Sequence, residues 1–288
     1  LAGAFPEEVD TGSSSGNATK SKRAPRLPSL PLPAVLRGAA IALCALLSVQ
    51  GAQAQWVERC VEVEKGPLAK VCFANVTGEA PYGHGVLGDT LEWETLILWR
   101  RDDAWKGRGA VYLEPRHVFE DVLPRVVDLD ADGVPEIVAV QSSFAQGARL
   151  VIFRMSQDLD KMLAAATPYI GTRYRWLAPL GAADLDGDGH MELAYIDRPH
   201  LAKTLRVWRY RDGAVSQVAS LPGLTNHRIG ENWISGGIRD CGAGPEMITA
   251  DARWRRVIAT RLEGGALIPR DIGAFDGQGS FARALVCE

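Results

Sequence analysis

Asp128-Leu-Asp-Ala-Asp-Gly-Val-Pro-Glu136 and Asp184-Leu-Asp-Gly-Asp-Gly-His-Met-Glu192 are two copies of one pattern, Asp-x-Asp-x-Asp-Gly-x-x-Glu. The likeness spreads over 125–139 and 181–195, and each glutamate leads into an apolar run, Ile137–Val140 or Leu193–Ile196. An eroded third copy, Gly237–Ala250, keeps Asp240 and Glu246, at nearly the same spacing again. A weaker fourth, Gly88–Leu98, places Glu94 ahead of Glu136 at a somewhat shorter spacing. Repetition at a steady spacing points to one structural unit used several times.

Each unit reads as β-structure. After the apolar run comes a second strand, such as Leu150–Phe153, Leu205–Tyr210 or Val257–Leu262. Turn signals follow at Asp212-Gly213 and Glu263-Gly264-Gly265, and then a further strand, Ala214–Ala219 or Ala266–Pro269. Helical periodicity is confined to a short stretch at Asp158–Ala166. A period of about 50 residues with three or four strands is long for a solenoid and suits a propeller blade. The expected fold class is therefore all-β, a β-propeller of four to five blades. The Trp56–Phe73 hairpin and a strand over Ser280–Cys287 would build the closing blade, with an open four-blade arc as the alternative.

The propeller is assigned to residues 55–288. Residues 1–33 are rich in Ser, Pro, Gly and basic side chains, without an apolar period, and read as a disordered extension. Residues 34–54 read as a signal peptide of bacterial style. Basic side chains precede a short apolar run, Gly38–Val49, and Ala52-Gln53-Ala54 is a small-x-small cleavage site. The run is too short to span a membrane, so no integral span remains after cleavage. The chain begins at Leu1, and no Met occurs before residue 55, so the true start is expected near Leu32 or Val35.

Residues 1–54 carry five of the 32 basic and three of the 35 acidic side chains. Residues 55–288 are therefore net acidic, at 27 against 32, with no basic stripe, so nucleic acid is not an expected partner. Cys60, Cys72, Cys241 and Cys287 are an even set in an export context. They are expected to pair as Cys60–Cys72, closing a hairpin, and Cys241–Cys287, tying the last strand back. No Cys-x-x-Cys pair supports zinc instead.

The acidic loops carry the chemistry. In the first, Asp128, Asp130 and Asp132 alternate, so their carboxylates can turn toward one centre. Gly133 makes the sharp turn, the Val134 carbonyl is the next expected ligand, and Glu136 completes the set. In the second, Asp184, Asp186 and Asp188 precede Gly189, the His190 carbonyl and Glu192. Four carboxylates, one carbonyl and water give the oxygen shell of calcium, one Ca2+ per loop. Magnesium would keep more of its own waters, and a transition metal would want imidazole or thiolate. An EF-hand needs a glutamate at position twelve, where Ala139 and Tyr195 stand, and helices on both flanks. The third copy has Gly242 in place of its third aspartate and is expected to bind nothing.

These loops, each followed by an apolar strand, resemble the FG-GAP/VCBS repeat found in the integrin α-subunit propeller. The resemblance covers repeats around 82–118, 124–170, 180–222 and 234–275. It implies calcium ions seated in loops on one face, with a structural role. The chain departs from that family in using Glu at the ninth position, where Asp is usual, and in lacking the Phe-Gly and Gly-Ala-Pro signposts.

No Gly-x-Ser-x-Gly, His-Glu-x-x-His or phosphate-cradling glycine loop occurs. His84, His117, His190, His200 and His227 are scattered and read as loop or edge residues. Trp99, Trp208 and Trp254 are expected in the packing, while Trp105, Trp176 and Trp233 fall nearer loops. The sequence thus points to a periplasmic or secreted, non-enzymatic calcium-binding protein with a protein or polysaccharide ligand. The alternative is an exported hydrolase or lyase acting on polysaccharide or phosphoester through a composite site. A pocket lined by His84, His117 or His227 with acidic neighbours would favour it.

Overall fold

The computed structural model describes residues 58–76, 82–102, 107–156 and 158–288. The expected extension (1–33), leader (34–54) and start site lie outside the described residues, as does Trp105. The described residues form one compact unit.

Strands alternate along the chain as the apolar periods require, and they pair antiparallel. Sheet A holds β1 (Arg59–Glu62), β2 (Leu68–Val76), β3 (Trp93–Arg100), β4 (Arg108–Tyr112) and β5 (His117–Phe119). It continues through β6 (Arg125–Val127), β7 (Glu136–Ser143), β8 (Gly147–Phe153) and β9 (Leu163–Ala166). Sheet B is the meander β10 (Leu177–Ala183), β11 (Glu192–Asp197), β12 (Thr204–Arg211) and β13 (Ala214–Pro222). Sheet C contains β14 (Leu224–Thr225), β15 (Gly237–Asp240), β16 (Pro245–Asp251), β17 (Arg256–Glu263) and β18 (Ala266–Ala274). Helix α1 (Gln278–Leu285) follows.

The repeat unit is present three times as strand, loop, strand, strand, strand: β6–β9, β10–β13 and β15–β18. The expected β-propeller of four to five blades is not formed. Sheets A and B are neither closed nor curled, and sheet C is only a half-barrel. Two local causes account for the difference. Separate blades need unpaired strand edges between them, but the three-residue β5 bonds to β3 through Trp93 and Phe119 and to β7 along His117–Phe119. It thereby fuses the first two expected blades into one sheet of nine strands. The expected closing strand, Ser280–Cys287, is the second cause, because it is mostly helix. Phe281, Ala284 and Leu285 recur at helical spacing and pack on Ile248, Ala250, Val257 and Ala259 of sheet C. Asp276, before the helix, accepts from Ser280 Oγ and pairs with Arg283. Among the described residues β1 bonds only to β2, so no strand pairing joins the two ends of the fold. The expected helix at Asp158–Ala166 is a single 3-10 turn, Leu159–Lys161, followed by β9.

The three sheets meet through shared cores. In β11 all six residues are buried, and the two faces serve different neighbours. Leu193 and Tyr195 pack with Val138, Val140 and Leu150 of sheet A, while Ala194 and Ile196 pack with Met247 and Ile258 of sheet C. Strand β7 divides in the same way, with Val138 and Val140 on one side and Ile137 and Ala139 on the other. This explains why the runs after each glutamate are continuously apolar rather than alternating.

Both expected disulfides are present, Cys60–Cys72 across the β1–β2 hairpin and Cys241–Cys287 over 46 residues. The second ties the segment after α1, rather than a strand, to the β15–β16 loop. Closing a loop of that length restricts the unfolded chain by about 3–4 kcal/mol. The double variant Cys241→Ser/Cys287→Ser should therefore lose stability of that order in urea unfolding, with the β-sheet circular dichroism retained at 25 °C.

Candidate metal centres in the acidic loops

Each acidic loop joins two neighbouring strands, and its glutamate is the first residue of the second. Glu136 and Glu192 are buried at the head of β7 and β11. One oxygen of each turns back into the loop: Glu136 Oε2 accepts the Leu129 N–H at 2.8 Å, and Glu192 Oε2 accepts the Leu185 N–H at 2.8 Å. The ninth-position glutamate therefore closes the loop on itself and leaves Oε1 for a cation. Burial pushes both carboxyls above the usual carboxylate range, against the pull of these N–H groups and of nearby arginines.

The aspartates hold the backbone of the turn. Asp128 Oδ2 accepts from Gly133, Asp130 Oδ1 from Asp132 and Asp132 Oδ1 from Val134. In the second loop Asp184 accepts from Gly187, Asp188 and Gly189, and Asp188 accepts from His190. Gly133 and Gly189 sit at φ 85° and 87°, the left-handed region expected of the sharp turn. At the earlier bend the second loop has Gly187 at φ 77°, where the first places Ala131 at φ 58°.

Oxygens of Asp128, Asp130 and Glu136 lie within 4.8 Å of one another, as do those of Asp184, Asp186 and Glu192. Asp132 and Asp188 stand outside these trios. Val134 and His190 meet the loops through their N–H groups. A third group, Glu58 with Cys60 and Cys72, has the spacing for a metal, but both sulfurs are consumed by the disulfide.

Arginine completes these sites, and the loop pattern alone does not predict it. Register places Arg209 directly opposite Glu192 on β12. Its guanidinium reaches Glu192 Oε1 at 2.6 Å, Asp186 Oδ2 at 2.5 Å and Asp188 Oδ2 at 2.9 Å. The counterpart after β8 is Arg154, 2.6 Å from Asp130 Oδ2 but 3.6 Å from Glu136 Oε1. In the eroded copy three guanidiniums converge on buried Glu246, from Arg239, Arg261 and Arg270. Here the side chains themselves provide the positive charge. A signal for this exists in the sequence: an arginine follows each glutamate by 15 to 18 positions, in Phe153-Arg, Trp208-Arg and Thr260-Arg.

The first loop passes a test for a cation. Asp128 Oδ1 and Glu136 Oε1 are buried and accept no hydrogen bond, so the loop contains two unsatisfied hard oxygens. Loop two has its corresponding oxygens occupied, by backbone N–H groups and Arg209.

Comparison with protein families picks out the same two loops together. Residues 128–195 match the FG-GAP-like repeat. The match begins at Asp128, ends in β11 and takes in both acidic loops, so the chain carries a short FG-GAP-like region. No curated protein matches the chain.

Glu246 provides a check by acid. Burial acts to raise its carboxyl, yet Arg270 and Arg239 outweigh burial and hold it below the usual range. A carboxyl lowered on folding stabilises the native state above its unfolded pKa, and that contribution disappears as pH falls through the folded value. Urea midpoints of the wild type should therefore fall on acidification below about pH 4. Glu246→Gln should cost about 2 kcal/mol at pH 7, chiefly by leaving the buried Arg239 guanidinium unpaired while Arg261 and Arg270 turn to water, and should flatten the acid limb.

Proposed function

We propose that this chain is an exported protein whose acidic loops, Asp128–Glu136 and Asp184–Glu192, each take one calcium ion. It serves as a binding or structural protein rather than as an enzyme. The observation that carries the reading is the pair of buried oxygens, Asp128 Oδ1 and Glu136 Oε1, that accept no hydrogen bond. Arg154, 3.6 Å from Glu136 Oε1, offsets only part of the cost of this buried carboxylate charge, and a hard cation between those oxygens removes the rest. Asp130, Asp132 and the Val134 carbonyl complete the proposed set; Asp184, Asp186, Asp188, the His190 carbonyl and Glu192 form the second. An all-oxygen set in a flexible loop suits calcium better than magnesium or a transition metal.

Export is supported by the two disulfides, which persist in oxidising compartments, and by the leader read at 34–54. Among the described residues, no helix is long and apolar enough to cross a membrane. The proposed location is periplasmic or extracellular, with a protein or polysaccharide partner. The hydrolase or lyase reading draws on one observation, His84 Nδ1 lying 2.5 Å from buried Glu120 Oε1. That pair supplies an oriented imidazole, and the acidic loops play no part in it.

Thermal unfolding and equilibrium dialysis test the calcium reading together. Calcium should raise the Tm by several degrees over the chelated protein, with two ions bound per chain, and Asp130→Ala/Asp186→Ala should abolish both effects. A chelator-insensitive Tm with no bound calcium would overturn it. Because Arg209 occupies the oxygens an ion needs, the second loop should fill at higher calcium than the first. Arg209→Ala should tighten that weaker site about fivefold or more, while lowering the stability of the chelated protein by about 2 kcal/mol.

A further inference from the structure

The sequence scatters its histidines, but the fold gathers three of them. A cavity of about 250 Å³ opens where loops from all three sheets meet, between β2 and β3, β9 and β10, β11 and β12, and β14 and β15. Register sets it apart from the acidic loops: β10 and β11 run from Leu177 and Asp197 at the cavity to Ala183 and Glu192 at the second loop. That length of strand puts about 20 Å between them. The site is therefore independent of the calcium reading.

Its polar groups are fixed in advance. Glu120 Oε1 takes His84 Nδ1 at 2.5 Å, and Ser142 Oγ donates to Glu120 Oε2 at 2.5 Å, so the His84 ring is oriented with Nε2 left over. Burial keeps the other two imidazoles neutral, taking His200 down to about 4 and lowering His227 as well. The Glu231 carbonyl can only accept, so His227 Nε2–H donates to it at 2.9 Å, and His227 Nδ1 must accept from His200 Nε2–H at 3.0 Å. His200 Nδ1 is thus an acceptor.

Walls and charge define what would fit. Trp176 is buried at the cavity, with its indole N–H donating to the Glu120 carbonyl. Tyr174 stacks on His84 at 5.2 Å and is held at φ 60°, an unusual conformation for an aromatic residue, by its N–H bond to Tyr82 Oη. Leu201 and Ile229 on the rim are 63% and 71% exposed, an apolar patch that the described residues leave uncovered. Arg198 is neutralised by Asp197. Arg175 is not: among the described residues its guanidinium meets the Tyr174 carbonyl and no carboxylate. Arg173 lies over the Tyr174 ring at 4.4 Å and likewise meets only a carbonyl, that of Tyr82, among the described residues. The cavity therefore combines aromatic and aliphatic surface with positive charge that no carboxylate offsets.

We propose that this cavity binds a small aromatic carboxylate, with its ring against the exposed Leu201 and Ile229 and its carboxylate on Arg175. The acceptor at His200 Nδ1 disfavours the opposite orientation, because it would face a carboxylate lone pair to lone pair. The test is calorimetric titration of the full chain, in calcium, with benzoate and with the uncharged benzamide. Benzoate should bind saturably and at least fivefold more tightly than benzamide. Arg175→Ala should weaken benzoate at least tenfold and leave benzamide unchanged. Leu201→Asp, at an exposed position that does not threaten folding, should weaken benzoate by bringing negative charge to the rim. Equal affinity for the two ligands, unchanged benzoate binding in both variants, or no saturable benzoate binding up to about 10 mM would each overturn the proposal. Calcium dialysis on the same samples reads the acidic loops separately, so the two readings fail independently.

Discussion

A buried glutamate at the head of a strand, facing an arginine on or just past the next strand, is the interaction on which each repeat is built. Glu136, Glu192 and Glu246 all lie in the interior, where an unpaired carboxylate would cost several kcal/mol. In the first two loops the glutamate spends one oxygen on a backbone N–H of the loop, so the loop and the strand are locked in one register. The other oxygen needs positive charge. The three repeats supply it in graded fashion: one arginine at a distance for Glu136, one in full contact for Glu192, and three for Glu246.

Once the strand heads are fixed, the strands behind them can be buried on both sides. Sheet B lies between two cores, and the alternation along β11 sends successive side chains to opposite neighbours. A one-residue slip would exchange the two sets, setting Leu193 and Tyr195 where Ala194 and Ile196 belong. The glutamate bond into the loop resists that slip. Energetics and register therefore rest on the same side chain.

Much of this is legible in the sequence, and the exceptions share a cause. The acidic loops, the strand runs behind them and both disulfide pairings follow from patterns within or just beyond a single repeat. What escapes is set by contacts between distant segments or by very short elements. Strand β5 is only His117–Phe119, too short to show an apolar period, yet it decides that two expected blades become one sheet. A closing strand over Ser280–Cys287 satisfies the blade count, but Ala-Arg-Ala-Leu and the spacing of Phe281, Ala284 and Leu285 favour a helix, and the local preference wins. Arg154, Arg209 and Arg261 are visible as letters in or beside strands, but their role appears only when register sets them against the glutamates. His84, His200 and His227 are separated by up to 143 positions, and nothing local could bring them together.

Helix α1 has a consequence for how such a chain can change in length. It covers the outer face of sheet C, and the Cys241–Cys287 bond holds the residues after it to that sheet. A row of repeats whose last face is sealed behaves like a capped solenoid. An added copy placed after sheet C would find no apolar surface to continue from. A copy inserted ahead of it would meet matching faces on both sides. On this side of the fold, growth by duplication is therefore favoured ahead of sheet C over growth beyond it.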